Sequence, residues 1–159
     1  MKMDGKNEYL KQFLDSIEKW ENALNIPEVK HNEDIERILN LDEKHLRLIK
    51  GEDCLMYSYQ LIAYSDYIQT RISKEKSVLD WADSSIWFII GSSLDQYGDK
   101  YTKWQIKYYS AIQENPLAKE ILKVKNNAEA RYNILEGKQK RAENLSNNLN
   151  LFSMKKIKY

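Results

Sequence analysis

From Asp53 to Ser93 the chain reads DCLMYSYQLIAYSDYIQTRISKEKSVLDWADSSIWFIIGSS, with no proline at all and no glycine before Gly91. Within it Leu61, Ser65, Ile68, Ile72, Glu75, Leu79, Ala82, Ile86, Ile89 and Ser93 follow one another in alternating steps of four and three. That spacing keeps one side of a helix turned toward a partner helix, with polar interruptions at Glu75 and the serines. Asp53 reads as its N-cap. A helix of about 40 residues is roughly 60 Å long at 1.5 Å per residue, too long for so small a domain to cover. It needs a second helix beside it.

The second helix is announced by Asn115-Pro116, a capping residue followed by proline at the first helical position. Beyond it Leu117, Ile121, Val124, Ala128, Arg131, Leu135, Lys138, Ala142, Leu145, Leu149 and Phe152 keep the same alternation. Between the long segments Tyr97-Gly98-Asp99 reads as a turn, and Thr102 with Gln105 three residues later is a capping-box pattern for a short helix to about Gln113. Upstream, Leu10, Phe13, Leu14, Ile17, Trp20 and Leu24 form one apolar stripe, ended by Asn25 and Pro27. Glu33 to Lys50 holds Ile35, Ile38, Leu39, Leu41, Leu46, Leu48 and Ile49, as one or two short helices closing at Gly51. The expectation is an all-α fold: a long antiparallel, coiled-coil-like helical hairpin over residues 53–159, its C-terminal half basic, with short acidic N-terminal helices over 1–52 packed against it.

With 159 residues and only five glycines and two prolines, a large multidomain enzyme is excluded. Cys54 is the one cysteine, and His31 and His45 are the two histidines, too few for a disulfide framework or a zinc site. No apolar run approaches the roughly 20 residues needed to span a bilayer, and MKMDGKNEYLKQ lacks the apolar core of a signal peptide. A soluble protein of a reducing compartment is expected, cytoplasmic, or in the host cytoplasm if viral.

The net charge of +1 hides an uneven distribution. Residues 1–99 hold 12 Lys and Arg against 19 Asp and Glu, and residues 100–159 hold 13 against 5. Either the basic segment meets a polyanion and the acidic one a protein partner, or the fold neutralises one with the other.

Catalytic signatures are missing: there is no phosphate-binding loop, nucleophile elbow, HExxH, CxxC or calcium loop. Asp42-Glu43, Glu52-Asp53, Asp80 and Asp83 read as caps and solvated helix faces rather than a hydrolytic or metal pair. Cys54, beside a helix start but without a base, reads as a small buried residue. Neither an enzyme nor a cofactor is expected.

The most informative local run is Lys100-Tyr101-Thr102-Lys103-Trp104-Gln105-Ile106-Lys107-Tyr108-Tyr109. Lys100, Lys103, Trp104, Lys107 and Tyr108 share one side of a helix. Unpaired bases stack on aromatic faces while lysines track phosphates, the manner in which single strands are held without sequence readout. The alternative gives Trp104 and Tyr108 to the core, with their lysine neighbours in water. Lys119, Lys123, Lys138, Arg141 and the terminal Lys155, Lys156 and Lys158 extend the positive field. Arg131 and Lys138, inside the apolar seam, either pair with Glu75 or another carboxylate across the hairpin and set its register, or face an opening in an oligomer and hold phosphate.

Ala63-Tyr64-Ser65-Asp66-Tyr67-Ile68 and Leu94-Asp95-Gln96-Tyr97-Gly98, followed by Glu114-Asn115-Pro116-Leu117-Ala118-Lys119, Tyr132-Asn133-Ile134-Leu135 and Arg141-Ala142-Glu143-Asn144-Leu145-Ser146, form a pattern over about residues 60–156. It resembles the UvsY-type recombination mediators of tailed phages. The Lys and Arg that precede the Leu-Asp motif in that family, associated with DNA binding, are Gly91, Ser92 and Ser93 here, so they are not carried over. The resemblance implies a helical, ring-like homo-oligomer without catalytic residues that binds single-stranded DNA, helps displace the single-strand-binding protein and loads the recombinase. The nucleic-acid contacts expected are Lys100, Lys103, Trp104, Lys107, Tyr108, Lys119, Lys123, Arg131, Lys138 and Arg141. The competing expectation is a structural or scaffolding helical oligomer of a phage assembly that never touches nucleic acid.

Overall fold

The computed structural model describes residues 4–23 and 33–157. The elements are α1 (Asp4–Ala23), α2 (Glu33–Leu39), α3 (Glu43–Leu48), α4 (Gly51–Ile90), a 3-10 segment (Gly91–Tyr97), α5 (Trp104–Glu114) and α6 (Pro116–Ile157). No strand occurs among the described residues. The fold is all-α, a long antiparallel helical hairpin of α4 and α6 with short helices packed against it. Of the stripe expected in α1, Phe13 and Leu14 are half-buried. The side chains of Leu10, Ile17 and Trp20, and all of Leu24, Asn25, Pro27, His31 and Lys158, lie outside the described residues.

The chain divides into two compact units, residues 1–67 with 141–159, and residues 68–140. Counted by unit, the first holds 13 Lys and Arg against 15 Asp and Glu and the second 12 against 9. The sequence imbalance is therefore largely cancelled inside each unit, because α6 is divided between the two and its cations meet α4 carboxylates in pairs such as Lys125–Asp83 and Arg131–Glu75.

In the first unit α4 starts at Gly51, two residues before the expected cap. The Cys54 amide donates to Lys50 O at 3.0 Å, and Glu52 and Asp53 fall in the first turn, where carboxylates favour the positive end of the helix dipole. A Cβ on Gly51 would stand 3.0 Å from Ile157 Cγ1 and 3.3 Å from Lys156 Cβ, so glycine is what lets the start of α4 meet the end of α6. The seam of this unit mixes small residues with Leu61 and Leu149. Ser58 Oγ donates to Ser146 O at 3.0 Å and Ser146 Oγ to Ser58 O at 2.9 Å, all of it buried. Ser65 Oγ donates to Glu143 Oε1 at 3.0 Å, and Cys54, Ala142, Leu149 and Ser153 complete the buried row. Around it, Ile35 and Ile38 of α2 are buried. Asp42 caps α3 by accepting from the His45 amide at 2.8 Å, and that bond first, then the His45 ring, holds its carboxyl below the usual range. Lys156 Nζ donates to Leu46 O at 2.8 Å, to Arg47 O and to Ile49 O, closing the last carbonyls of α3.

In the second unit, Gln139 Nε2 donates to Gln69 Oε1 at 2.8 Å, Arg131 grips Glu75 with Nε and Nη2 at 2.9 and 3.0 Å, and Lys125 meets Asp83 at 2.5 Å. As the α4 member of these pairs advances, the α6 member recedes, which is the antiparallel register. The two-pronged Arg131–Glu75 pair fixes it in place. Burial works against the Lys125 ammonium, but the bond and charge of Asp83 outweigh it and its pKa is raised. Ala82, Ile86 and Ile90 of α4, Tyr108, Ala111 and Ile112 of α5, and Ala118 and Ile121 of α6 form the core. Asn115 Oδ1 accepts the amides of Leu117 and Ala118 at 3.0 and 3.1 Å, the expected cap before Pro116.

Gly98, in the turn before α5, has φ of +155°, and a Cβ there would lie 2.5–2.7 Å from three side-chain atoms of Thr102. Gly98→Ala is expected to destabilise the protein by about 1–3 kcal/mol. Urea unfolding followed by circular dichroism checks it, and an unchanged midpoint would contradict the strain assigned to this turn.

Candidate nucleic-acid interface

The turn that launches α5 is organised by one carboxylate. Asp99 Oδ1 accepts the Tyr101 amide at 2.9 Å and the Thr102 amide and hydroxyl at 3.0 Å each. These bonds, the Tyr101 amide foremost, lower the pKa of the Asp99 carboxyl. The expected Thr102–Gln105 capping box does not form. Its hydroxyl is turned to Asp99, and Lys103, with no side-chain cap, takes the N-cap position. Gln105 is thereby one residue too early to close the box.

Trp104 is the first residue of α5, and its ring lies against Trp87 of α4, with centroids 6.0 Å apart and planes 27° from parallel. Tyr108, one turn further along α5, meets both: 5.4 Å from Trp87 and 5.6 Å edge-on from Trp104. Tyr108 is only 6% exposed and belongs to the core, whereas Trp104 is 56% and Trp87 44% exposed. The structure thus divides the two aromatics that the sequence places on one side: Trp104 faces solvent and Tyr108 supports it from inside. Burial pushes the Tyr108 hydroxyl pKa up. Trp87 was not among the expected contacts, because helical spacing shows only that it leaves the seam, not that α5 brings a second indole beside it.

The cations sort as clearly. Lys100 Nζ sits 5.1 Å from the ring centroid of exposed Tyr101. Lys103 is exposed, and neither has a carboxylate partner among the described residues. Lys107 is largely covered and lies 3.7 Å from Asp95. Lys119 and Lys138 are exposed on α6 and likewise unpaired among the described residues. Lys123 pairs with Glu120 on its own helix at 2.9 Å. Arg131 is taken by Glu75, and Arg141, in the first unit, donates to Leu39 O at 2.7 Å. Of the ten positions, Lys100, Lys103, Lys119 and Lys138 are open cations and Trp104 an open ring. Lys100 and Lys103 lie in the turn and at the N-cap before α5, so the single helix side expected for them with Trp104, Lys107 and Tyr108 does not form.

Among the described residues no group of three or more His, Cys, Asp or Glu could hold a metal ion. None of the described helices is long and apolar enough to cross a membrane. No family model, curated protein or solved structure matches the chain.

Proposed function

We propose that the chain is a non-enzymatic accessory protein that holds single-stranded DNA, acting as a phage recombination mediator that assists loading of a recombinase onto the strand. The observation that carries the reading is the half-exposed Trp104 ring preceded by Lys100 and Lys103, cations without carboxylate partners among the described residues. A ring that accepts a base and ammonium groups that meet phosphates are the two ingredients of sequence-tolerant single-strand binding. The recombination role and the recombinase and single-strand-binding-protein partners rest on the UvsY-type resemblance of residues 60–156.

Labelled oligonucleotides titrated at two salt concentrations, read by fluorescence anisotropy, test it. Trp104→Ala is expected to weaken single-strand binding by about 1–3 kcal/mol. The double change Lys100→Gln with Lys103→Gln is expected to lower the slope of log K against log salt by about 1.4, two phosphate contacts' worth. Absence of affinity at low salt refutes the reading.

A structural or scaffolding oligomer is the second reading. It is favoured by Leu55, Met56, Tyr59 and Ile62, which leave an exposed apolar strip on α4 of the first unit. Under it, changes at Lys100 and Lys103 alter assembly mass and no nucleic-acid binding is seen.

A further inference from the structure

Trp87 lies outside every sequence pattern for nucleic-acid contact, yet its surroundings are those of Trp104. The two indoles come from different helices, α4 and α5, and lie with centroids 6.0 Å apart and planes tilted by 27°. Tyr108 contacts both rings and itself belongs to the buried core cluster that includes Ile86, Ile90, Ala111 and Ile112. Large aromatic side chains ordinarily gain most by full burial. Here two are held rigidly by a buried third ring while about half of each remains open to water. Lys100 and Lys103, without carboxylate partners among the described residues, precede Trp104 in the same turn as Asp99 and are the nearest open cations in the chain for the phosphates of an anionic strand.

Resting on the single-strand reading above, we infer that Trp87 and Trp104 form one two-indole platform, locked by Tyr108, on which unpaired nucleobases stack. Because the rings are already ordered, little side-chain freedom is lost on binding. Stacking uses the π-face that every base possesses, so the platform is tolerant of sequence and demands only that the base be unpaired. Oligo-dT and oligo-dA both bind, and a duplex of the same length binds less well, since its π-faces are covered by neighbouring pairs.

The test uses the full chain with Trp87→Leu, which fills space without a π-face, Trp87→Phe, which restores one, Trp104→Leu and the double leucine variant. Thermal melts by circular dichroism accompany each, and the Phe variant keeps the inference falsifiable if leucine disturbs the fold. Anisotropy with labelled single strands is expected to show a loss of roughly 5- to 100-fold for either leucine variant. Phe at position 87 should recover most of the affinity. The double variant should be no weaker than the poorer single by more than about twofold, because the two rings act as one surface. If Trp104→Leu weakens binding while Trp87→Leu leaves it within twofold, the platform is wrong and the single-strand reading survives. If the unaltered chain binds no single strand, both fall. If the variants change the mass seen by light scattering and not the affinity for DNA, a second copy of the chain covers the rings and the inference is overturned.

Discussion

Ser146→Leu is expected to lower the free energy of unfolding by about 2–6 kcal/mol, the combined cost of overpacking and of an unsatisfied buried hydroxyl. Ser146 is 1% exposed, with its hydroxyl and carbonyl both engaged by Ser58 across the hairpin. The two hydroxyl oxygens stand 2.8 Å apart, which measures how closely α4 and α6 approach here. Isobutyl in place of the hydroxymethyl group must force the helices apart, which removes the donor to Ser58 O and draws Ser146 O away from the Ser58 hydroxyl. Ser146→Ala, which removes the hydroxyl without adding bulk, should cost about 1–2 kcal/mol. Urea titrations of both variants, followed by circular dichroism, separate the effects. Equal midpoints for the alanine and leucine variants would mean that the seam is not tightly closed at this level.

That expectation runs against hydropathy, and the reason explains which parts of the architecture the amino-acid order foretells. The hairpin, the Asn115-Pro116 start of α6 and the turn at Gly98 follow from periodicity and from residue-specific backbone chemistry, both local properties. Leu61, Ser65, Ile68, Ile72, Ala82 and Ile86 occupy the α4 seam as their spacing predicts. Elsewhere the seam passes to a neighbour: Val78 and Ile90 are buried in place of Leu79 and Ile89, and Ala118, Ser146 and Ser153 in place of Leu117, Leu145 and Phe152. Ranking positions by hydrophobicity selects the largest apolar residue in each turn. At Ala118, Ser146 and Ser153 the buried place goes to the smaller neighbour, leaving Leu117 and Leu145 half-buried at the margin and Phe152 exposed, whereas Ile90 in place of Ile89 is a shift by one residue with no change of size.

The candidate interface divides in the same way. Alternating lysines and rings single out the α5 region, because composition alone carries that signal. Whether a lysine is open depends on carboxylates distant in sequence, such as Asp95 for Lys107 or Glu75 for Arg131. The Trp87–Trp104 stack likewise joins residues on separate helices, a juxtaposition that no single periodicity encodes.

Tyr108→Ala is expected to destabilise the protein by about 3–5 kcal/mol, the range for deleting a large buried aromatic ring. The ring is shared between the core of the second unit and the two indoles, so its removal opens a cavity beside Ile86 and Ile112 and unseats Trp87 and Trp104 together. Single-strand affinity should fall along with stability. Tyr108→Phe distinguishes packing from the hydroxyl, since it keeps the ring and should preserve both near neutral pH. Under alkaline conditions the two differ. Burial raises the folded pKa of Tyr108 above its ordinary value of about 10, so its hydroxyl ionises more readily in the unfolded chain. The stability linked to the neutral form is complete below that ordinary value and is lost as pH rises through the folded one. Tyr108→Phe should therefore lose less stability than the unaltered chain between neutral pH and pH values above about 10. Urea midpoints measured for both across that range decide the matter: parallel declines would show that Tyr108 does not contribute to the alkaline loss, while convergence in favour of phenylalanine would locate part of it at this ring.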